Sequence, residues 1–346
     1  MKKIPIIYLC GDRSPYGMAH MVSVIKYFDV KAIIIADEKR WSYFRRFLLG
    51  GEIYWYTKKI RIFRVAIEDI LRKPRVFYRA QKQKKLLNSF GVPLLEMNDV
   101  NSRESISRIM SFSPEILVSA AYPQIFSQDL IGATPRGALN FHPSLLPKFR
   151  GAHPHYWCLA TGEKKSGVTA HFMTSRIDDG DIIAQRSFDL DGFYYADLYK
   201  KIIEITPKLV EDVALFLNDA NAIPIPQDEN LATVFRNDRE IHRRLDFHRM
   251  SSQELYSRIR AGGGYALHRG IRIYIVRVDV VSHNRHMTNN IGVPAGTIVD
   301  ISAEGVIVNT VDQEFLVIKS VKWGRKSKSF SAWVARFEIN IGERLA

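Results

Sequence analysis

An asparagine, a histidine and an aspartate stand out as residues able to do chemistry together. The text reads Asn140-Phe141-His142-Pro143-Ser144-Leu145-Leu146-Pro147, then Arg150-Gly151, and further on Ile177-Asp178-Asp179-Gly180-Asp181. In a strand, residues i and i+2 project to one face, so Asn140 and His142 share a side of the sheet. They close a strand-like run over 137–142, and open α/β sheets place ligands at the carboxyl ends of their strands. Asp178 precedes an Asp-Gly turn that can swing a carboxylate back over the sheet. Such a trio suits acyl transfer to an amine. An amide and a protonatable imidazole can both donate to the oxyanion of a tetrahedral intermediate, each donor being worth roughly 3 kcal/mol. A carboxylate beside the imidazole favours the imidazolium and can accept the amine's proton, directly or through water. No serine or cysteine nucleophile is needed.

The surrounding elements place these residues. Apolar, β-branched runs at 4–10 and 30–36 flank a helix-compatible stretch at 17–28, the opening of a parallel βαβ unit. A strand near 92–95, a helix over about 102–112, and strands at 114–121, 137–142, 167–173 and 181–188 follow. A long amphipathic helix, 195–218, contains Pro207, which predicts a kink. This alternation implies an α/β fold, a Rossmann-like doubly wound and mostly parallel sheet, over residues 1–220. Ala222-Ile223-Pro224-Ile225-Pro226-Gln227-Asp228 reads as an extended linker within 221–240. Beyond it, Ser251-Ser252-Gln253-Glu254 has capping-box spacing and starts a helix ending near Arg260. Short alternating strands at 271–278, 296–301, 306–310 and 315–321 then imply a small OB-like β-barrel as the core of a C-terminal domain, 241–346.

Composition narrows the classes. With 346 residues, 46% hydrophobic and 25% charged, the chain has the make-up of a two-domain globular protein. Cys10 and Cys158 are too few to staple it and read as reduced thiols. No apolar stretch approaches the roughly 18–20 residues needed to span a bilayer, so a cytoplasmic location is the expectation. The formal charge of +14 is local: 39–85 holds 15 Lys or Arg against three acids, interleaved with ten aromatics that include Trp41, Tyr43 and Trp55. Three readings of this insertion stand: amphipathic surface helices with a solvated basic face, contact with tRNA phosphates, and peripheral attachment to an anionic membrane.

The two motifs resemble those of the folate-dependent formyltransferases, whose pattern is Asn-x-His-x-Ser-Leu-Leu-Pro followed some 35 residues later by Leu-Asp-x-Gly. Asn140 and His142 match directly. Ile177 stands where Leu usually does and Gly180 matches the glycine, so Asp178, rather than Asp179, matches the aspartate. The resemblance implies a formyltransferase fold, 10-formyltetrahydrofolate as donor, and Asn140, His142 and Asp178 as catalytic residues. It places the folate pocket, which Asp178 also lines, beside the loop after Ala120-Ala121, with Pro123, Gln124, Ile125 and Phe126 as contacts. The C-terminal region resembles the barrel of tRNA and sugar formyltransferases, Pro294-Ala295-Gly296-Thr297 matching their Pro-Gly-Thr segment. One departure is Ala261-Gly262-Gly263-Gly264-Tyr265-Ala266, where tRNA enzymes usually carry Asn-Pro-Trp-Pro-Gly-Ala.

Arg13, Ser144 and Arg150 are the candidate acceptor contacts. Arg13 reads equally as part of a plain turn, and Arg150 as a solvent residue. His153 and His155 with His142 do not have the spacing of a common zinc site, and the chemistry needs no metal. The expected acceptor is a small-molecule primary amine, foremost a nucleotide-linked amino sugar; the alternative is methionyl-tRNA. A non-catalytic tRNA- or membrane-binding relative is the reading from a different class. Nothing in the sequence specifies an oligomeric state.

Overall fold

The computed structural model describes residues 2–11, 15–36, 91–236, 242–281, 292–323 and 326–346. Arg13 and the basic segment 39–85 lie outside the described residues.

Strand β1 (Pro5–Gly11) is buried from Ile6 onward, and helix α1 (Pro15–Tyr27) carries the chain to the parallel β2 (Asp29–Ala36). β3 (Leu94–Glu96) adds outside β2. Helix α2 (Arg103–Met110), capped by Ser102, then leads to β4 (Ile116–Ala120) on the other side of β1. After α3 (Gln128–Gly132), β5 (Ala138–His142) lies parallel to β4. The two-residue strand β6 (Arg150–Gly151) and helix α4 (Pro154–Ala160) precede β7 (Lys165–Phe172), which is antiparallel to β5, and β8 (Ile182–Asp189) closes the edge. The order is β3-β2-β1-β4-β5-β7-β8. The chain leaves β1 toward one edge and returns to its other side at β4, a switch point beyond which the strand ends are open to a ligand. β1 and β4 are buried at nearly every position, which is why they read as continuous apolar runs instead of alternating ones. Helix α5 (Tyr195–Asn218) spans Pro207 as one continuous element.

The chain forms two compact units. The first comprises residues up to His142, Thr169–Ala184 and Thr206–Gln227. Its core packs Ile7, Leu9, Ile34, Leu117, Phe126 and Leu130. The second comprises Pro143–Val168, Gln185–Ile205 and Asp228–Ala346. Here β9 (Val234–Phe235) pairs with β6, and α6 (Ser252–Arg260) begins with the expected capping box of Ser251 and Glu254. An antiparallel, barrel-like sheet follows: β10 (Gly264–His268), β11 (Ile271–Val281), β12 (Ile298–Ser302), β13 (Gly305–Asn309) and β14 (Phe315–Trp323), in the order β10-β11-β14-β13-β12. β15 (Lys326–Ser329) pairs with β14, and α7 (Phe330–Phe337) supplies Trp333, fully buried among Phe247, Ile273, Ile275 and Leu316. Among the described residues no helix is long and apolar enough to cross a membrane.

Candidate active site

Asn140 and His142 occupy the carboxyl end of β5, with Leu139 and Phe141 buried on the opposite face. Strand pairing fixes what surrounds them. Asn140 is registered against Ser119 of β4 and His171 of β7, and His142 against Thr169. Behind the strand the Phe141 ring packs on His20 of α1, with centroids 4.5 Å apart. Burial pushes His20 down to about 3, so it is a neutral ring whose Nδ1–H donates to the Tyr16 carbonyl.

Asp178 completes the group from the turn between β7 and β8. Its backbone is left-handed, with φ +52°. Its carboxylate stands 3.4 Å from His142 Nδ1 through Oδ2 and accepts from Asn140 Nδ2 at 3.4 Å through Oδ1. His142 is 4% exposed and the Asp178 side chain 15%, so the low-dielectric surroundings strengthen the attraction between them. Contacts of this length are at the long end of hydrogen bonding. Asp179 faces elsewhere: its carboxylate accepts from the Thr174 hydroxyl and pairs with Arg176. Gly180 follows because a Cβ there would collide with the Phe172 carbonyl oxygen.

The structure adds a residue that sequence reasoning passed over. His171 is 1% exposed, and its Nε2 lies 3.5 Å from both Asn140 Nδ2 and Asp178 Oδ1. Its Nδ1 sits 2.7 Å from the Phe172 carbonyl, which can only accept, so Nδ1 carries a hydrogen. In the neutral ring Nε2 accepts from Asn140; in the protonated ring it donates to Asp178. Its only signal in the sequence is a histidine seven residues before Asp178 in a strand-like run.

The loop after β4 is tied down. Gln124 accepts from Val100 N at 3.0 Å and donates to the Asn98 carbonyl at 2.9 Å, while Asn101 bonds the Ile125 carbonyl and Ser127 N. Phe126 is buried in the core against Tyr122, whose phenol burial pushes above its usual range. Pro123 is exposed and Ile125 is 66% exposed. The loop therefore presents Pro123 and Ile125 to solvent, while the Gln124 amide is spent on backbone and the Phe126 ring on the core.

Of the candidate acceptor contacts, Ser144 is buried and donates to the Lys148 carbonyl at 2.9 Å. The buried Arg150 guanidinium forms a two-pronged pair with Glu229, at 2.9 and 3.1 Å. Both shape the loop that follows His142.

The chain is similar to known proteins along most of its length. Residues 67–210 match the formyl transferase family model, and residues 239–338 match that of the formyl transferase C-terminal domain. A methionyl-tRNA formyltransferase of Bacillus pumilus is 28% identical over 261 residues, covering 74% of this chain and 80% of that protein. The Bacillus subtilis enzyme of the same name is 27% identical over 264 residues, with 74% and 80% covered. Among solved structures, a sugar 3N-formyl transferase determined in the presence of dTDP and 5-N-formyl-THF superposes with a TM-score of 0.59 at 15% identity, covering 92% of this chain and 97% of that one. An N-formyltransferase from Helicobacter canadensis, in complex with folinic acid and dTDP-3-aminofucose, superposes with a TM-score of 0.56 at 14% identity, covering 92% and 99%.

Proposed function

We propose, from the premise that this chain belongs to the folate-dependent formyltransferase family, that Asn140, His142 and Asp178 carry its transfer of a formyl group from 10-formyltetrahydrofolate to a primary amine, and that methionyl-tRNA is the acceptor. The observation that carries the site is the convergence of an amide, an imidazole and a carboxylate within 3.4 Å contacts at the end of β5. The folate supplies an activated formyl carbon, and Pro123, Gln124, Ile125 and Phe126 form the loop that would hold it, with Asp178 at its reactive end. Asn140 donates its amide hydrogens, and His142 its imidazolium proton, to the carbonyl oxygen as that oxygen gains negative charge. Asp178 favours the charged imidazole and takes the proton the amine must lose. As the tetrahedral intermediate collapses, the bond from the formyl carbon to folate N10 breaks, N10 receives that proton, and tetrahydrofolate leaves.

Two observations support tRNA over the amino sugar expected from sequence. The curated relatives of Bacillus pumilus and Bacillus subtilis are both methionyl-tRNA formyltransferases, matched along four-fifths of their length. The insertion 39–85 concentrates 15 basic residues, the type that meets backbone phosphates. The second reading, a nucleotide-linked amino sugar, is favoured by Ala261-Gly262-Gly263-Gly264, which replaces the Asn-Pro-Trp-Pro text of tRNA enzymes.

Parallel assays with 10-formyltetrahydrofolate and either methionyl-tRNA or a dTDP-linked amino sugar separate these readings. Formylation of methionyl-tRNA, with affinity falling steeply as salt rises, is the expected result. Turnover of the amino sugar with inert methionyl-tRNA replaces the first reading by the second. Consumption of the donor with neither would remove both.

A further inference from the structure

We propose that Gln227, at the end of the linker between the two family-matched regions, is a positioning residue that holds the Asp178 carboxylate in place. The inference rests on the reading of Asp178 as the carboxylate of the site.

Gln227 Nε2 donates to two backbone carbonyls of the Asp178 turn: that of Asp178 at 2.9 Å and that of Gly180 at 2.7 Å. Both hydrogens of one amide are thus spent on the residues flanking Asp179, from 47 to 49 positions away in sequence. Asp178 needs such a restraint. Its φ of +52° lies in the left-handed region, which aspartate tolerates better than most residues with a Cβ but which still costs free energy that local contacts must offset. From the other side, Gly180 lies so close to the Phe172 carbonyl that no side chain fits. The turn is therefore pressed on β7 through Gly180 and bracketed by the linker.

The bracket continues along the chain. Ile225 exchanges both backbone hydrogen bonds with Ile182, at 2.7 and 2.8 Å, where β8 begins. Pro224 and Pro226 flank Ile225 and restrict this stretch to extended backbone. A stiff three-residue rod thus engages residues 178, 180 and 182. Residues 178 and 180 are reached by a single side chain, so they depend on its identity. Asp178 meets His142 and Asn140 across contacts of 3.4 Å. A small relaxation of the turn is then enough to separate charge from imidazole.

Two variants test this: Gln227→Met, which keeps length and loses both donors, and Gln227→Glu, whose carboxyl donates only when protonated. Formyl transfer is followed with 10-formyltetrahydrofolate and whichever acceptor, methionyl-tRNA or the dTDP-linked amino sugar, turns over. Gln227→Met is expected to lower kcat about ten- to hundredfold, the scale of lost hydrogen bonds near a charged group. Its Kd for 5-formyltetrahydrofolate stays within about threefold of wild type, because the contacts that order the 122–127 loop are untouched. In an Asp178→Asn background, measured in single turnover, the same change costs less than about threefold, because a residue acting through Asp178 has little left to act on. For Gln227→Glu, kcat relative to wild type rises as the pH is lowered toward about 5, as the carboxyl approaches protonation. Wild-type kcat in Gln227→Met, equal losses in both backgrounds, or a pH-independent ratio for Gln227→Glu overturns the proposal. Full activity in Asp178→Asn alone removes the reading on which it rests; an inactive Asp178→Asn beside a fully active Gln227→Met removes only the role of Gln227.

Discussion

His171 and Asp178 stand Nε2 to Oδ1 at 3.5 Å, while His142 addresses the other oxygen of the same carboxylate from 3.4 Å. One carboxylate thus lies between two buried imidazoles. His171 cannot turn away, because Nδ1 is committed to the Phe172 carbonyl at 2.7 Å. It therefore helps set which oxygen of Asp178 is available. Replacement by phenylalanine keeps the buried volume and removes the ring nitrogen. Leaving a buried polar partner unmatched costs about 1–3 kcal/mol, so His171→Phe should lower kcat by roughly 10- to 100-fold. Affinity for 5-formyltetrahydrofolate should hold. Steady-state kinetics beside a titration of the folate analogue read both; kcat within twofold of wild type would leave His171 a structural histidine.

The two adjacent aspartates make a sharper contrast. Asp178 faces His142 and Asn140, whereas Asp179 is spent on Thr174 and on Arg176, whose side chain is 74% exposed. Asp178→Asn removes the charge that favours the imidazolium and the acceptor for the amine's proton, and should lower kcat about 10²- to 10⁴-fold. Asp179→Asn weakens a pair whose carboxylate side is buried, at 3% exposure, with a stability cost of about 1–3 kcal/mol and kcat near wild type. Equal losses of kcat in the two variants would mean that the turn as a whole, and not the Asp178 carboxylate, is what the reaction needs.

His20 predicts a pH dependence of stability. Its fully buried ring is pushed down to about 3 from an ordinary 6.5, because burial disfavours the charged form. Between those values the unfolded chain binds a proton at this position and the folded chain does not. Stability from this group is therefore complete above about pH 6.5 and falls by ~1.4 kcal/mol per unit as the pH drops below it. His20→Met deletes that slope at the cost of the Nδ1 bond to Tyr16. Urea unfolding at pH 7.5 and 5.5 should show the wild type losing ~1.4 kcal/mol more than the variant between the two. Parallel pH dependences in both proteins would show that His20 is charged in the folded state.

Residues whose partners are near in sequence, or whose role follows from a period, were legible before the structure. The β-branched runs of β1 and β2 and the capping box at Ser251 belong to this class, as does the i, i+2 pair Asn140 and His142. Preference for Asp178 over Asp179 came from motif spacing, and the geometry agrees on which carboxylate faces His142. What escaped depends on single contacts between distant segments. His171 matters because β7 runs antiparallel beside β5, and Gln227 because the linker returns to a turn 47–49 residues back. Neither leaves a local pattern. β10 was hidden for another reason: it begins at the last of three glycines, where composition argues for a loop, and its strand character comes from pairing with β11. The pairing of β6 with β9 is two residues long on each side, too short for any periodicity.

That short pairing carries the last prediction. Beyond Gln227 the linker laces onto the loop after His142: Thr233 accepts from Arg150 N at 2.8 Å through its carbonyl and from Phe149 N at 2.8 Å through its hydroxyl. Phe235 accepts from Ala152 N at 3.0 Å, and its ring stacks between Phe149 and Trp157. Gly151 makes the approach feasible. Its φ is +96°, and a Cβ would run into the Phe235 carbonyl oxygen, a backbone atom that cannot rotate aside. Gly151→Ala must then both strain residue 151, at about 1–2 kcal/mol, and push β9 off β6, losing hydrogen bonds worth about 1 kcal/mol each. The expected outcome is a destabilisation of roughly 2–4 kcal/mol, with limited proteolysis newly cutting within 228–236 as the released segment becomes accessible. An alanine variant with an unchanged Tm and an uncut linker would show that this stretch can part from the loop at no cost.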